Sequence, residues 1–175
     1  MSASDERVDV IDEQGRTIGV VTRKEMRSRR LPHRCTYVLV FNQSGELFVH
    51  LRTATKDVYP SHWDVTIGGV LAAGETYDQG VRREVAEELG IDAVCEELFP
   101  FHYADERTIV QGMVYRLIHE GPFHLQAEEI VRGEFTPLTD VLERIDRESF
   151  CPDGVRVLQE YRERLSELSP CTRAE

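Results

Sequence analysis

Five of the charged residues between positions 69 and 91, in the stretch GVLAAGETYDQGVRREVAEELGI, have a spacing that could support chemistry. They are Glu75, Arg83, Glu84, Glu87 and Glu88. In a helix with about 100° per residue, the last three carboxylates fall on one side. Carboxylate oxygens grouped in this way suit a hard divalent cation, Mg²⁺ or Mn²⁺, and such a cation serves phosphate chemistry. The spacing therefore predicts a metal site.

This stretch also carries the signals of a helix. Thr76 and Gln79 match a capping box, in which two side chains satisfy free backbone N–H groups at the helix start. Gly90 follows the last apolar residue and predicts the C-terminal end. Gly80 lies on the carboxylate side, and we expect it to leave the backbone open to a ligand. Three apolar residues predict a neighbouring stripe that faces the core: Val81, Val85 and Leu89.

A solvated acidic surface is the competing interpretation of these carboxylates. Like charges four residues apart destabilise a helix by a few tenths of a kcal/mol, and only Arg83 is near enough in sequence to offset them. The preceding loop, residues 68–74, consists of small and apolar residues and contains three glycines. An ordinary surface helix has no need of that backbone freedom, so the metal site is favoured.

The same stretch resembles the Nudix box, G-x5-E-x7-R-E-U-x-E-E-x-G-U, where U is apolar. Every specified position is filled, by Gly69, Glu75, Arg83, Glu84, Val85, Glu87, Glu88, Gly90 and Ile91. The resemblance implies that Glu87 and Glu88 are metal ligands and that Glu84 is a further ligand or the general base. It also implies that Arg83 pairs with Glu75 and that Gly69 lies at the substrate.

Length and composition indicate one domain. The chain has 175 residues and shows no linker or repeat, so residues 1–168 are expected to form a single Nudix domain and residues 169–175 a frayed tail. The resemblance implies an α/β/α sandwich with a mixed sheet and the box loop and helix at its centre.

Short strands are predicted first, and helices later. Hairpins are expected over Val8–Ile11 with Thr17–Thr22 and over Tyr37–Phe41 with Leu47–Leu51. Further strands are predicted at Trp63–Ile67, Leu98–Tyr103 and Thr108–Ile118. After Pro122 the chain is expected to become helical. One helix is predicted to start at the N-cap Thr136 and the other to span Val155–Leu168.

Charge and cysteine usage exclude several kinds of partner. The formal net charge is −11, which disfavours a nucleic-acid duplex or an anionic membrane. Four cysteines lack C-x-x-C spacing, so neither a zinc site nor a redox motif is indicated. The first residues lack a secretory signal and no apolar run is long enough to span a membrane. We expect a reduced, cytoplasmic setting, free thiols and a small-molecule diphosphate substrate; a homodimer is compatible with the sequence.

The predicted chemistry follows from the metal. A cation that bridges two phosphates neutralises charge, orients the phosphorus and lowers the pKa of bound water. The implied reaction is hydrolysis of a diphosphate bond in a nucleoside diphosphate linked to another moiety X, or in a related organic diphosphate. The general base stays open between Glu84 and two later residues, Glu128 and Glu129, which could equally belong to an exposed acidic turn. Three aromatic residues could line a pocket for a base or ring: Trp63, Tyr77 and Phe101.

A second resemblance narrows the subgroup. The stretches RLPHRCTYVLV, GELFVHLRTATKDVYPSHWDVT and FHLQAEEIV resemble the branch that contains isopentenyl diphosphate isomerase. Arg52 and Lys56 stand where that isomerase places cations for the diphosphate of its substrate. The resemblance therefore implies that these two residues bind substrate, although two solvent-facing charges are the commoner outcome.

The residues that carry isomerase chemistry are missing. Gly68 replaces a cysteine that transfers a proton to carbon, and Val70 replaces a histidine. His33 is retained, but Met26 stands in place of its partner, so His33 is expected to be structural. Gln111 and Met113 align with two acidic residues of the isomerase. A hydrolase is therefore favoured over an isomerase and over a non-catalytic nucleotide-binding module, which would not need all four box glutamates.

Overall fold

The computed structural model describes residues 3–168. The expected tail, residues 169–175, lies outside the described residues. The strands are β1 (Arg7–Ile11), β2 (Thr17–Thr22), β3 (His33–Phe41), β4 (Leu47–Arg52), β5 (Trp63–Asp64), β6 (Glu96–Ala104), β7 (Ile109–Ile118) and β8 (Ile130–Thr136). The helices are α1 (Arg23–Ser28), α2 (Tyr77–Leu89), α3 (Leu138–Ile145) and α4 (Pro152–Leu168).

A six-stranded mixed sheet forms the middle layer. Its main path runs β5-β4-β3-β7-β6, and β8, which lies off this path, also pairs with β4. Strands β3 and β7 are parallel from the pair His33–Val110 to the pair Phe41–Ile118, whereas the other named pairs are antiparallel. Strands β1 and β2 form a separate antiparallel ribbon.

The two faces of this sheet are covered by different helices. Val38 and Val40 of β3 belong to a buried cluster with Val81 and Val85 of α2. Tyr37, Leu39 and their neighbours on the opposite face pack in a second cluster with residues of α3 and α4. Side chains of successive strand residues point to opposite faces, so β3 is buried on both sides. The expected α/β/α sandwich with a mixed sheet is confirmed.

Several sequence predictions differ from the observed elements. Both early hairpin strand pairs are present, but β5 ends at Asp64 rather than at Ile67. The prediction that the chain becomes helical after Pro122 is wrong, because β8 precedes α3. Helix α3 has Pro137 rather than Thr136 as its N-cap, without a side-chain cap. Helix α1 was not predicted.

The box loop crosses β3 before it enters α2. The N–H of Val38 donates to the carbonyl of Ile67 at 2.7 Å, and the N–H of Thr36 donates to that of Gly69 at 3.0 Å. Gly68, between them, has a φ of 138°, and a Cβ added there would lie 2.2 Å from the carbonyl oxygen of Thr36. This close approach excludes a side chain and fixes the loop against the sheet. Within the described residues, no helix has the length and apolar character needed to cross a membrane.

Candidate active site

Helix α2 begins and ends where the sequence predicts. The Thr76 hydroxyl accepts from the N–H of Gln79, and the Gln79 side chain accepts from the N–H of Thr76. Gly90 ends the helix in the left-handed conformation, with a φ of 68°. The three residues of the predicted apolar stripe are all buried. These boundaries and this packing fix the direction in which the glutamates project.

Arg83 is the centre of a hydrogen-bond network. Its Nε and one terminal nitrogen donate to the two carboxylate oxygens of Glu75, at 2.8 and 2.9 Å. The other terminal nitrogen donates to Glu84 at 2.9 Å and to Glu87 at 3.1 Å. The terminal nitrogen that bonds Glu75 also donates to the carbonyl of Val70 at 3.2 Å. Glu75 also accepts from the N–H of Ala72 at 2.8 Å. Although burial opposes it, the hydrogen bonds from Arg83 and Ala72 keep the pKa of Glu75 below its usual value.

Glu84 and Glu88 are buried carboxylates that face one cavity. They are 8% and 5% exposed. Burial and repulsion from Glu84 raise the pKa of Glu88 to about 8, and burial also raises the pKa of Glu84 although Arg83 opposes this shift. A Cβ added at Gly69 would lie 2.7 Å from Oε1 of Glu84, so the absent side chain makes room for that carboxylate.

These two carboxylates fit a hard cation that is only partly held by protein. Among residues 3–168, no three side chains of suitable type are placed to hold an ion together. The side chain of Glu87 is 51% exposed, whereas Glu84 and Glu88 are buried, and it accepts a hydrogen bond from the Arg83 nitrogen that also donates to Glu84. Mg²⁺ is commonly held by one or two carboxylates, with waters and substrate phosphates as its other ligands. The donor set of Glu84 and Glu88 matches that mode of binding.

The cavity beside α2 has a volume of about 680 Å³. Loop and helix residues of the box form one wall of it. The charged residues that line the cavity are Glu6, Arg7, Arg23, Arg27, Arg52, Lys56, Asp57, Asp64, Arg83, Glu84, Glu87, Glu88, Glu129 and Asp153. A space with so many donors and acceptors suits a polar, charged ligand.

Arg52 and Lys56, which the isomerase resemblance predicts to bind substrate, both line this cavity. A terminal nitrogen of Arg52 lies 3.5 Å from Oδ2 of Asp64, and another donates to the carbonyl of Val58 at 3.0 Å. Lys56 forms an ion pair with Glu129. Burial and the nearby Arg52 lower the pKa of Lys56. Both cations are therefore held in the cavity rather than extended into solvent.

Glu128 and Glu129, the two later candidates for the general base, have different positions relative to the cavity. Glu129 lines the cavity through its pairing with Lys56. Glu128 is exposed and is not among the lining residues, and its backbone carbonyl accepts from the hydroxyl of Thr53 at 2.9 Å. Of this pair, only Glu129 is placed near the box carboxylates.

Several expected pocket features are absent from the cavity wall. Trp63 lies under the guanidinium of Arg144, 4.2 Å from the ring centroid, and the Tyr77 hydroxyl donates to the carbonyl of Gln111. Neither residue, nor the buried Phe101, lines the cavity. Gly80 is not open to a ligand, because Leu71 covers it and an added Cβ would lie 3.1 Å from the Leu71 side chain.

Sequence reasoning missed the basic side chains of α1. Arg23 and Arg27 project into the cavity from a helix that follows the first hairpin. Thr22 caps this helix by accepting from the N–H of Glu25. The spacing Thr22-x-x-Glu25 fits the start of a helix and could have indicated α1. The acidic pair Asp64 and Asp153 on another part of the wall was also missed, because nothing in the local sequence marks these residues.

Comparisons with known proteins agree with this fold and box. The NUDIX domain family matches residues 31–155. An uncharacterized Nudix hydrolase of Pseudomonas aeruginosa is 40% identical over 162 residues, covering 91% of this chain and 96% of the relative. One of Escherichia coli K12 is 36% identical over 157 residues, covering 89% of this chain and 86% of that protein. The chain therefore belongs to the Nudix family, and the enzyme class expected from the sequence, a Nudix pyrophosphohydrolase, is confirmed.

Solved structures share the architecture. The crystal structure of DR0079 from Deinococcus radiodurans superposes with a TM-score of 0.76 at 24% identity, covering 89% of this chain and 98% of that one. The NUDIX domain of Shewanella oneidensis NrtR, complexed with ADP ribose, superposes with a TM-score of 0.62 at 18% identity, covering 83% and 99%. At these identities the similarity concerns the fold.

Proposed function

We propose that this chain is a metal-dependent hydrolase that cleaves a diphosphate bond by attack of an activated water at phosphorus. The substrate is a nucleoside diphosphate linked to another moiety X, or a related organic diphosphate. One observation carries the proposal: two buried carboxylates, Glu84 and Glu88, share a cavity with Arg52 and Lys56. Metal-binding oxygens and phosphate-binding cations thus lie around one space.

The residues present fit Mg²⁺ or Mn²⁺, which Glu84 and Glu88 would hold, with Glu87 as a third ligand on rearrangement of its side chain. Bound there, the metal would neutralise phosphate charge and lower the pKa of a water. Arg83 and Glu75 brace the loop against α2, so that the carboxylates are held in place before substrate arrives. Arg52 and Lys56 would donate to phosphate oxygens and fix the scissile bond over the carboxylates.

The general base is assigned to Glu84 or Glu129. Glu84 is buried beside the proposed metal, and burial raises its pKa. Glu129 becomes available once phosphate replaces it as the partner of Lys56. A carboxylate that takes the proton from the attacking water contributes about two to four powers of ten in rate. Glu128 is less suited, because its side chain is exposed and lies outside the cavity wall.

Two alternative functions are disfavoured. For an isomerase of the isopentenyl diphosphate type, the required positions hold structural residues: Val70 is buried in the core, and the Gln111 side chain donates to the carbonyls of Asp12 and Glu13. A non-catalytic nucleotide-binding module gives no reason to bury Glu84 and Glu88 together. The subgroup that resembles the isomerase, a cytoplasmic location and a homodimer stay predictions.

The test is a panel of organic diphosphates assayed with Mg²⁺ and with Mn²⁺. The panel contains nucleotide sugars, nucleoside triphosphates, dinucleoside polyphosphates and isoprenoid diphosphates. Glu87→Gln and Glu88→Gln should each reduce turnover about a hundredfold or more, while the exposed Glu97→Gln serves as the matched control. Reaction in ¹⁸O-labelled water should place the label in a phosphate product.

Three results would contradict the proposal. Unchanged rates in both glutamine variants would show that the carboxylates of Glu87 and Glu88 take no part in the reaction. Isomerised but unhydrolysed isopentenyl diphosphate would favour the isomerase instead. Binding of a nucleotide without release of any phosphate product across the panel would favour the non-catalytic module.

A further inference from the structure

The segment between β4 and β5 carries one of the two cations proposed to bind the diphosphate and contacts the other. We call residues 53–62 the strap. Lys56 lies on the strap, with a side chain that is 12% exposed. The carbonyl of Val58, also on the strap, accepts from Arg52 at 3.0 Å. All three residues line the cavity beside α2, so the path of the strap decides where both cations are presented.

The backbone of the strap is strained at two residues. Tyr59 and Ser61 have φ values of 51° and 58°, in the left-handed region that residues with a side chain seldom adopt. The N–H of Ser61 donates to the carbonyl of Thr53 at 3.2 Å and closes the strap on itself. A strained backbone of this kind persists only where the surrounding structure holds it in place. The strap therefore depends on contacts around Tyr59.

The Tyr59 hydroxyl joins the strap to the turn between β6 and β7. It donates to Oδ2 of Asp105, a residue of that turn. The other carboxylate oxygen of Asp105 accepts from the N–H groups of Arg107 and Thr108, at 2.7 and 2.9 Å. Although burial opposes it, the hydrogen bonds from Tyr59 and from these N–H groups keep the pKa of Asp105 below its usual value. Asp105 is thus an ionised acceptor fixed by its own turn, and hydrogen bonds to ionised groups are the stronger ones.

Packing holds the Tyr59 ring at the same place. Tyr59 is 6% exposed and forms a buried cluster with Val58 and Cys151. The guanidinium of Arg107 covers the ring at 5.3 Å from its centroid. The strap is also tied to α1 through ion pairs of Asp57, but that side chain is 41% exposed and solvent weakens such pairs. Tyr59 is therefore the main anchor of the strap.

We propose that Tyr59 and Asp105 are positioning residues for the diphosphate. Their hydrogen bond holds the strap so that Lys56 and Arg52 already face the cavity before substrate binds, which lowers the entropy cost of binding. Tyr59 and Asp105 act through these two cations rather than on the reacting atoms. This inference rests on the proposed function for the role of Lys56 and Arg52.

The first test measures binding of methylenediphosphonate, a cleavage-resistant diphosphate, by calorimetry in the presence of Mg²⁺. Tyr59→Phe keeps the buried ring but removes the hydroxyl, and it should weaken binding about tenfold. Asp105→Asn should weaken binding several-fold, because a neutral amide is a poorer acceptor than a carboxylate. Tyr103→Phe is the matched control, since the Tyr103 hydroxyl donates to the same oxygen of Asp105 at 3.3 Å but belongs to β6 rather than to the strap. The control should bind the probe like wild type.

A double-mutant cycle separates positioning from a general loss of structure. In Lys56→Gln the cation that the strap presents is already absent, so adding Tyr59→Phe should weaken binding by about threefold or less rather than tenfold. With a diphosphate that the protein hydrolyses, Tyr59→Phe should raise KM more than it lowers kcat, because the carboxylates of α2 keep their positions. The same tenfold loss in both backgrounds would overturn the inference, and so would equal losses in Tyr59→Phe and Tyr103→Phe.

The lysines of the chain provide a measure of the strap that does not depend on any ligand. There are two of them, Lys24 and Lys56, and Lys24 is exposed on α1. Limited acetylation followed by mass spectrometry compares their rates within one sample. In Tyr59→Phe the acetylation of Lys56 relative to that of Lys24 should rise several-fold, whereas Tyr103→Phe should match wild type. An unchanged ratio in Tyr59→Phe would overturn the inference, because the strap would then keep its position without the hydroxyl.

Failure of the proposed function can be told apart from failure of this inference. If Tyr59→Phe raises acetylation of Lys56 and weakens binding of the probe, but no diphosphate is hydrolysed, the positioning role stands and the hydrolase proposal fails. If diphosphates are hydrolysed in a manner that depends on Glu88, while Tyr59→Phe alters neither acetylation nor binding, only the positioning role is refuted.

Discussion

Replacement of Arg83 by lysine tests the bracing of the box loop. The arginine makes five hydrogen bonds in the structure, to three carboxylates and one carbonyl. Lysine keeps the charge but presents one nitrogen with three donors, and it cannot span both oxygens of Glu75 while also reaching Glu84. Two or three contacts to charged groups are therefore lost.

The magnitude follows from those contacts. A hydrogen bond to a charged group contributes about 1.5–3 kcal/mol, and the 28% exposure of the Arg83 side chain reduces this through solvent. We expect Arg83→Lys to lower the free energy of unfolding by about 2–4 kcal/mol. For a domain of this size that corresponds to a Tm lower by roughly 5–15 °C.

Urea unfolding and thermal denaturation would measure this effect. Arg82→Lys, at the exposed neighbouring position of α2, is the matched control and should change stability by less than about 0.5 kcal/mol. The variant should also lose turnover, since Glu84 is no longer held by Arg83. Equal stability of the two lysine variants would refute the assignment of Arg83 as the brace of the loop.

Three further predictions concern titration, metal and thiols. Burial and the neighbouring Asp64 raise the pKa of Asp153 to about 6. The stability linked to its protonated form is present below about pH 4 and is lost as pH rises through 6. The free energy of unfolding of Asp153→Asn should therefore rise relative to that of wild type by up to roughly 3 kcal/mol between those pH values. Mn²⁺ at about a hundred times its Kd should raise the free energy of unfolding by about 2.7 kcal/mol in wild type and far less in Glu88→Gln. In a Cys171→Ser background, Ellman's reagent should react with one thiol of the native protein, Cys95, and with three in urea, because the other two described thiols are buried.

Each of these predictions has a contrary outcome. A stability difference between the Asp153→Asn variant and wild type that does not change with pH would exclude the carboxylate repulsion. Absence of Mn²⁺ stabilisation in wild type at millimolar concentration would count against the metal site. Rapid reaction of all three thiols in the native state would contradict the burial around β3 and the start of α4.

The box helix could be predicted because its signals are local. The capping box, the terminal glycine and the apolar stripe all lie within fifteen residues, and they agree with the observed α2. Strand β8 was not predicted, because a glycine such as Gly133 within a strand weakens the pattern that indicates a strand. In the structure this glycine is required by packing, since an added Cβ would lie 2.3 Å from the ring of Phe48. Sequence alone does not reveal which strand will press against a glycine.

The site was only partly predictable for a similar reason. The box specifies the residues of one wall, but Arg23, Arg27 and Asp153 reach the cavity from elements far apart in sequence. Their convergence depends on how the first hairpin and α4 pack on the sheet. The sequence also predicted that three glutamates face one point. In the structure Glu87 accepts a hydrogen bond from Arg83, and whether it contacts Arg83 or a metal depends on rotation of its side chain, which the local sequence does not specify.

The contact between Gly68 and Thr36 has a consequence for the evolution of new chemistry in this chain. Position 68, where the predicted resemblance to the isomerase expects a thiol, is closed to every side chain by main-chain atoms of Thr36. A single codon change there would disrupt the crossing of loop and strand before it could introduce a proton donor. A side chain that transfers a proton to carbon could stand at this position only if the backbone followed a different path.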